Sequence, residues 1–62
     1  MKRIEDLEVG DQIFANNVWM IVEAVFVEGD VGFQDVSFEC IGQHGETYVV
    51  DHDAVDHIYE RI

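Results

Sequence analysis

The sequence predicts a single small all-β domain of five short antiparallel strands, arranged as a small barrel or a sandwich. Three observations lead to this fold class. Apolar and polar residues alternate in several short segments. The five glycines fall where turns are needed, and turn signals recur about every ten residues. No proline, repeat or linker divides the 62 residues, so residues 1–62 are expected to form one domain.

The strands follow from the alternation of apolar and polar residues. The predicted strands are Gln12–Ala15, Val18–Glu28, a third strand around residues 35–40, Thr47–Asp51 and Ile58–Ile62. The third strand has the clearest period of two, since Val36, Phe38 and Cys40 alternate with Asp35, Ser37 and Glu39. The apolar set of this strand is therefore expected in the core and the polar set in water.

Turn residues connect these strands. Asn16-Asn17 predicts a tight hairpin, because asparagine tolerates left-handed backbone conformations. Gly29-Asp30 predicts a turn after the second strand, and residues 42–45 a flexible loop. Residues 52–56 predict one helical turn, with Asp51 or Asp53 as its cap.

The second strand changes phase at its middle, because the apolar residues before and after Glu23-Ala24 fall on opposite faces of a regular strand. A β-bulge there would bend the strand and return both groups to the core side. The residues that this bulge places inside are Met20, Val22, Val25 and Val27. The large apolar residues left for the outer surface include Trp19, Ile21 and Phe26.

The segment before the first strand carries the pattern Leu-x-Val-Gly-Asp-x-Ile, from Leu7 to Ile13. In it Leu7, Val9 and Ile13 are expected in the core, and Gly10-Asp11 turns the chain into the strand. This entry resembles that of SH3-like small barrels, and the layout of the chain is similar to that of short acidic proteins encoded by phages and other mobile elements. The resemblance implies a five-stranded antiparallel SH3-like barrel with one short helical turn near residues 52–56. It implies no catalytic residue.

Charge is the strongest functional signal. The chain has fourteen carboxylates, a net charge of −11, and no lysine or arginine between Ile4 and Glu60. Such a field repels nucleic acid and anionic membranes and attracts cationic surfaces. We therefore expect a basic protein partner, with nucleic-acid-binding proteins as a candidate class, and no direct binding of nucleic acid or membrane. In the sharper form of this hypothesis the carboxylates imitate a phosphate backbone.

The location expected from the sequence is cytoplasmic. Met1-Lys2-Arg3 leads directly into the polar segment 4–6 rather than into an apolar stretch, so no signal peptide is predicted. The longest apolar run, Val18–Val22, is far shorter than the roughly 20 residues that span a bilayer. A single cysteine permits no internal disulfide.

Two constellations suggest chemistry, and both have a simpler explanation. Asp53 and His57 would share a divalent metal if residues 53–57 formed a helical turn, but a solvated acidic turn is favoured. Cys40 with His44 or His52 suggests a nucleophile, but a small apolar residue in the core is favoured. The sequence therefore predicts no enzyme, no cofactor and no metal site.

The predicted site is a set of apolar anchors surrounded by carboxylates, which bind a basic partner together. The anchors are Trp19, Ile21, Phe26, Phe33 and Tyr59, and the carboxylates are Asp35, Glu39, Asp51, Asp53 and Asp56. The alternative function is a small assembly or accessory subunit that forms homo-oligomers through the aromatic patch. A metal-dependent activity at residues 51–57 ranks third.

Overall fold

A computed structural model of the chain describes residues 3–60. Five antiparallel strands form one sheet in the order β4-β3-β2-β1-β5. They are β1 (Gln12–Ala15), β2 (Val18–Asp30), β3 (Phe33–Gly42), β4 (Thr47–Asp51) and β5 (His57–Ile58). The other regular structure in these residues is a pair of 3₁₀ turns, η1 (Ile4–Asp6) and η2 (His52–Ala54). The predicted all-β class with five antiparallel strands is confirmed.

The β1–β2 hairpin turns at Asn16-Asn17, as predicted. Both residues have positive φ angles, +53° and +62°, which a two-residue type I′ turn requires. The right-handed twist of this turn matches that of the strands that it joins. Ala15 consequently pairs with Val18, and the register of the first hairpin is set.

The predicted turn at Gly29-Asp30 is wrong by two residues. Gly29 pairs with Gln34 and Asp30 with Phe33, so the chain turns at Val31 and Gly32 instead. Gly32 takes the positive φ angle, +89°, that the turn needs. The second and third strands are therefore longer than predicted.

The helical turn and the last strand are shorter than predicted. η2 ends at Ala54, and Asp51 occupies its cap position without a side-chain hydrogen bond to the turn. Strand β5 begins at His57 rather than Ile58 and has two residues. The backbone N–H of Tyr59 still donates to the carbonyl of Gln12 (2.9 Å). The rest of the predicted strand, residues 61–62, lies outside the described residues.

The predicted bulge in β2 is confirmed, since the pairing of β2 with β3 shifts register between Val22 and Ala24. Thirteen residues in a straight strand would span about 40 Å, whereas the molecule is 36 Å along its longest axis. The strand therefore bends. The expectation that Val25 and Val27 are buried is wrong: they are 38% and 57% exposed. They pair with Phe38 and Val36 on the core side, but the hairpin there extends beyond the core.

The core is one cluster to which four strands and the entry segment contribute. Its buried residues are Leu7, Ile13, Ala15, Met20, Val22, Phe38, Cys40 and Val50. The alternation predicted for β3 is confirmed for Phe38 and Cys40, which are fully buried, whereas Val36 is only partly buried and packs against the core. Leu7 and Ile13 occupy the core as expected.

The expectation for Val9 is wrong, because this residue is 64% exposed. Gly10, at φ +98°, donates its N–H to the carbonyl of Val22 (2.8 Å), and Asp11 donates to that of Glu8 (3.1 Å). These bonds close a tight turn with Val9 near its tip. Its side chain consequently points away from the core cluster.

Candidate functional site

Beyond the bulge, β2 and β3 continue as a two-stranded arm, residues 24–37, which we call the projecting hairpin. β1 pairs with β2 only as far as Ile21, and β4 pairs with β3 only from Ser37 onward. The radius of gyration, 11.5 Å, exceeds the roughly 10.6 Å expected for a compact chain of this length. The apolar residues that the hairpin exposes are Val25, Phe26, Val27, Val31 and Phe33.

The tip of the projecting hairpin is the most exposed apolar part of the described chain. Val31 is fully exposed and Phe33 is 80% exposed. A methyl group built on Gly29 (φ +117°) would overlap the carbonyl oxygen of Phe33, so the two strands approach each other too closely there for any side chain. Gly29 therefore holds the tip in this geometry.

An acidic groove of about 330 Å³ lies at the base of the projecting hairpin. Its lining residues are Glu28, Asp35, Val36, Ser37, Asp51, His52 and Asp53. The fold brings its carboxylates together from three elements: Glu28 and Asp35 from the hairpin, Asp51 from the end of β4, and Asp53 from η2. We call these seven residues the acidic groove.

The strand register sets the spacing of these carboxylates. Glu28 lies directly opposite Asp35, and Asp51 lies opposite Ser37. Directly paired residues have Cβ atoms about 5 Å apart, and diagonal neighbours such as Asp35 and Asp51 are about 7–8 Å apart. All four carboxylate residues are exposed. The groove thus presents an array of negative charge to solvent.

No lysine or arginine in the described part of the chain neutralises this array. Arg3 is the one lysine or arginine within residues 3–60, and it forms an ion pair with Glu5 (3.2 Å). Like charges placed directly opposite each other on a sheet are destabilising. The pairing of Glu28 with Asp35 therefore lowers stability while it concentrates negative potential on one surface.

His52 connects η2 to β3 by a hydrogen bond. Its Nδ1–H donates to the backbone carbonyl of Val36 (3.2 Å), and its Nε2 lies 3.0 Å from an oxygen of Asp53. The second contact is an ion pair when the ring carries both protons. Since His52 joins the two sides of the groove, it holds Asp51 and Asp53 near the hairpin carboxylates.

An exposed aromatic residue, Phe26, lies beside the acidic groove. Phe26, 45% exposed, pairs with Ser37, which in turn pairs with Asp51. Glu39 lies two residues along β3 from Ser37 and hence on the same face of the sheet. A large exposed ring with carboxylates around it matches the arrangement of an anchor and its charged surroundings in protein interfaces.

The structure divides the predicted carboxylates. Asp35, Asp51 and Asp53 line the groove, whereas Glu39 does not line it but lies on the same face of β3 as Asp35. Asp56 lies elsewhere: it is in the connection before β5, where its N–H donates to the carbonyl of Phe14 (2.9 Å). The sequence does not indicate Glu28, because its pairing with Asp35 depends on the turn at Val31-Gly32, two residues beyond the predicted turn.

The predicted anchors also fall into two groups. Phe26 and Phe33 are on the projecting hairpin. Trp19 and Tyr59 contact each other edge to face with ring centroids 6.3 Å apart, and Ile21, 44% exposed, lies on the same face of β2 as Trp19. The two groups are on different parts of the sheet.

Trp19 and Tyr59 belong to an aromatic cluster, made of Phe14, Trp19, His57 and Tyr59. Phe14 is 5.2 Å from Trp19 and 6.0 Å from His57, measured between ring centroids. Phe14 was not predicted, although its place between the core residues Ile13 and Ala15 assigns it to the outer face of β1. The cluster lies on the outer face of the sheet, where Phe14 of β1 is flanked by Trp19 of β2 and His57 of β5.

The alternative chemistries find no support in this geometry. Cys40 is fully buried, and burial raises the pKa of its thiol, with a further increase from Glu39; the predicted core role is confirmed. His57 lies in β5 opposite Phe14 rather than on a helical turn with Asp53. Within residues 3–60 no three histidine, cysteine or acidic side chains are grouped to hold a metal ion.

Comparisons of this chain with protein-family models, curated proteins and solved structures find no match. Residues 3–60 include no helix with the length and apolar character to cross a membrane.

Proposed function

We propose that this chain is a non-enzymatic interaction protein that binds and modulates a basic protein partner. The observation that carries the proposal is the acidic groove, where Glu28, Asp35, Asp51 and Asp53 line one surface. Their like charges oppose folding, and a cationic ligand bound between them would relieve this repulsion. The cytoplasm is the proposed location, because the one cysteine is a free thiol and such thiols are typical of reducing compartments.

We further propose that the sheet closes as an SH3-like barrel of the type found in short acidic phage or mobile-element proteins. The strand order β4-β3-β2-β1-β5 supports it, because the two edge strands, β4 and β5, are joined in sequence by the short connection that contains η2. Closure would bring these two edges together. The bulge in β2 supports it too, because small barrels need bent strands to turn their corners. In this fold β2 would belong to both halves of the barrel.

Binding would combine long-range attraction with local anchoring. The net charge of −11 accelerates encounters with a positive surface. Arginine and lysine side chains of the partner then pair with carboxylates of the groove, where charge-assisted hydrogen bonds are the strongest kind available. Phe26 and the hairpin tip residues Val31 and Phe33 supply apolar contact area next to these charges.

The preferred class of partner is a nucleic-acid-binding protein. Such proteins use basic surfaces to contact phosphates at short, regular spacings. Carboxylate side chains on residues that are directly paired, with Cβ atoms about 5 Å apart, or diagonally placed, about 7–8 Å apart, offer these surfaces an alternative set of acceptors. While the acidic groove occupies the partner's basic surface, nucleic acid cannot bind there, and the activity of the partner is thereby modulated.

The test is binding of a fluorescent oligo-arginine peptide, measured by anisotropy at about 0.05 M and about 0.5 M salt. The distance over which charges attract each other shortens as the salt concentration rises, so we expect the affinity to fall at least tenfold between the two conditions. Substitution of Asp35 and Asp51 by asparagine removes two charge pairs of about 0.2–1 kcal/mol each, which weakens binding about 2- to 30-fold.

The matched control changes the same charge outside the groove. Asp6→Asn with Glu23→Gln alters two exposed carboxylates that do not line the groove, and we expect less than a threefold effect. Equal loss in both double variants would show that net charge alone attracts the peptide. Binding that does not respond to salt would reject the electrostatic proposal.

The second candidate function, a homo-oligomeric assembly subunit, rests on the aromatic cluster with the neighbouring exposed Ile21. Trp19 is an unsuitable test position, because it packs against Phe14 and Tyr59 and its loss would disturb folding. Ile21→Lys is cleaner. Sedimentation at micromolar concentration would reveal an oligomer that this variant dissociates, whereas a monomeric wild-type protein removes this candidate.

A further inference from the structure

One edge of the projecting hairpin has no neighbouring strand in the described part of the chain. β1 pairs with β2 as far as Ile21, and the turn before β1 forms two backbone hydrogen bonds with Val22, each 2.8 Å long. From residue 24 to residue 30, β2 has β3 as its single strand neighbour within residues 3–60. We call this stretch, residues 24–30, the free β2 edge.

The other edge of the hairpin is occupied at its base. There the backbone carbonyl of Val36 accepts the hydrogen bond of His52 (3.2 Å), a residue of η2, which follows β4. This carbonyl therefore points toward the β4 side of β3 and away from β2. The two edges of the hairpin thus differ, and the free β2 edge is the one open to a further strand.

The strand register shows which backbone groups point to the free β2 edge. Directly opposite residues of an antiparallel pair either bond to each other or both direct their N–H and C=O groups outward. Val27 is opposite Val36, so its N–H and C=O groups point away from β3. The pairing is regular from Ala24 to Asp30, so the same holds for Val25, two residues earlier.

The side chains beside these groups alternate in character. Phe26 and Glu28 lie on the face of the acidic groove, and Val25 and Val27 lie on the opposite, core-side face. All four residues are exposed. A strand added at this edge would place its own side chains directly across from these. Apolar residues would therefore suit the positions opposite Val25 and Val27, and a basic residue the position opposite Glu28.

Charge selects among the occupants that this edge could take. A second copy of the chain would bring a further net charge of −11, which opposes self-pairing. A basic residue opposite Glu28 would instead form a favourable cross-strand pair. It would also lie on the same face of the sheet as Asp35, which is paired with Glu28. The free β2 edge and the acidic groove are therefore continuous, because Glu28 belongs to both.

We propose that the free β2 edge binds an extended segment of the basic partner as an additional antiparallel strand, in which apolar residues alternate with arginine or lysine. The unpaired N–H and C=O groups of an edge strand are a template for such pairing, and strand addition is a recurrent mode of peptide recognition. The inference rests on the proposed function, because it specifies how the basic partner binds. Backbone bonds would set the register, and the basic side chains would supply the complementary charge.

The test uses the peptide acetyl-Arg-Val-Arg-Val-Arg-Val-Arg-amide and two N-methylated forms of equal charge. One form is methylated at the backbone nitrogens of its valines, and the other at those of the last three arginines. In the antiparallel complex the valine N–H groups face Val25 and Val27, whereas the arginine N–H groups face away. We expect methylated valines to weaken binding about tenfold or more, and methylated arginines to change it less than about threefold.

Amide hydrogen exchange gives the second criterion. The N–H groups of Val25 and Val27 should become protected when the unmodified peptide binds, whereas that of Gln34, on the other edge of the hairpin, should not. Protection of Val25 and Val27 that rises with protein concentration in the absence of peptide would overturn the proposal, because a second copy would then occupy the edge.

The methylated peptides separate this inference from the proposed function. Equal affinities of the two methylated forms, or weaker binding of the arginine-methylated form, would overturn the proposal, because an added antiparallel strand presents only its valine N–H groups to the edge. If all three peptides bind equally and in a salt-dependent manner, with shifts at residues 35, 51 and 53, the inference fails and the proposed function stands. If none of the three binds, both fail.

Discussion

The pairing of Glu28 with Asp35 predicts that one charge reversal stabilises the protein and weakens its binding. Glu28→Lys converts a repulsive cross-strand pair into an attractive one. If the two charges are taken to be as far apart as directly paired Cβ atoms, about 5 Å, each interaction at the dielectric constant of water is about 0.8 kcal/mol, reduced to about 0.5 kcal/mol by screening at 0.1 M salt. The variant loses a repulsion of this size and gains an attraction of this size, so the free energy of unfolding should rise by about 1 kcal/mol. For a domain of this size, that is about 4–8 °C in Tm.

Thermal melts followed by circular dichroism provide the assay. The control is Glu23→Lys, which makes the same change in net charge at the bulge, where the residue has no cross-strand partner. We expect the control to change stability by less than about 0.5 kcal/mol. In 1 M salt, where the Debye length is about 3 Å, the advantage of Glu28→Lys should largely vanish.

The result also has a functional side. Glu28→Lys should weaken binding of the oligo-arginine peptide, because it places a positive charge in the acidic groove, whereas Glu23→Lys should affect it less. A gain in stability with a loss of binding is expected where a site retains unfavourable charges for function. Equal Tm shifts for the two variants would refute the reasoning, since dispersed repulsion rather than a specific pair would then limit stability.

Three further outcomes are expected. Gly29→Ala should destabilise the projecting hairpin by about 1–3 kcal/mol, because its methyl group overlaps the Phe33 carbonyl at a positive φ angle; hydrogen exchange that stays slow in residues 25–36 would contradict this. Burial, and to a lesser extent the charge of Glu39, raise the pKa of the Cys40 thiol above 9.0 in the folded state. The folded protein therefore favours the neutral thiol; the resulting stability is fully present below pH 9.0 and is lost as the pH rises through the folded-state pKa. The free energy of unfolding measured in urea should fall more above pH 9.0 for the wild type than for Cys40→Ala. Parallel pH profiles of the two proteins would contradict this expectation. Asn16→Val should cost about 1–2 kcal/mol in the same assay, because a β-branched residue resists φ +53°; an unchanged midpoint would argue against the type I′ turn.

Much of the fold follows from short-range patterns. The period of two in β3, the Asn16-Asn17 turn and the phase change at Glu23 each depend on neighbouring residues, and each matches the structure. The position of Val9 could not be derived this way, because it depends on the hydrogen bond from Gly10 to Val22, a residue far along the chain.

The candidate site was predictable only in part, for the same reason. Acidic residues and exposed aromatics can be counted from the sequence, but their grouping depends on the register between strands. A shift of the turn from Gly29-Asp30 to Val31-Gly32 brings Glu28 opposite Asp35. Phe26 and Trp19 both lie on β2, but seven residues along a strand span about 23 Å, so they belong to different surfaces.

The acidic groove is tested most directly by mapping the surface that a basic partner contacts. Labelled protein is titrated with a basic DNA-binding domain at low salt, and ¹H–¹⁵N chemical shifts are followed residue by residue. The account predicts changes concentrated in residues 26–37 and 51–53, which reverse when the salt concentration is raised. Changes confined to the aromatic cluster at residues 14, 19, 57 and 59, or no change at all, would contradict it.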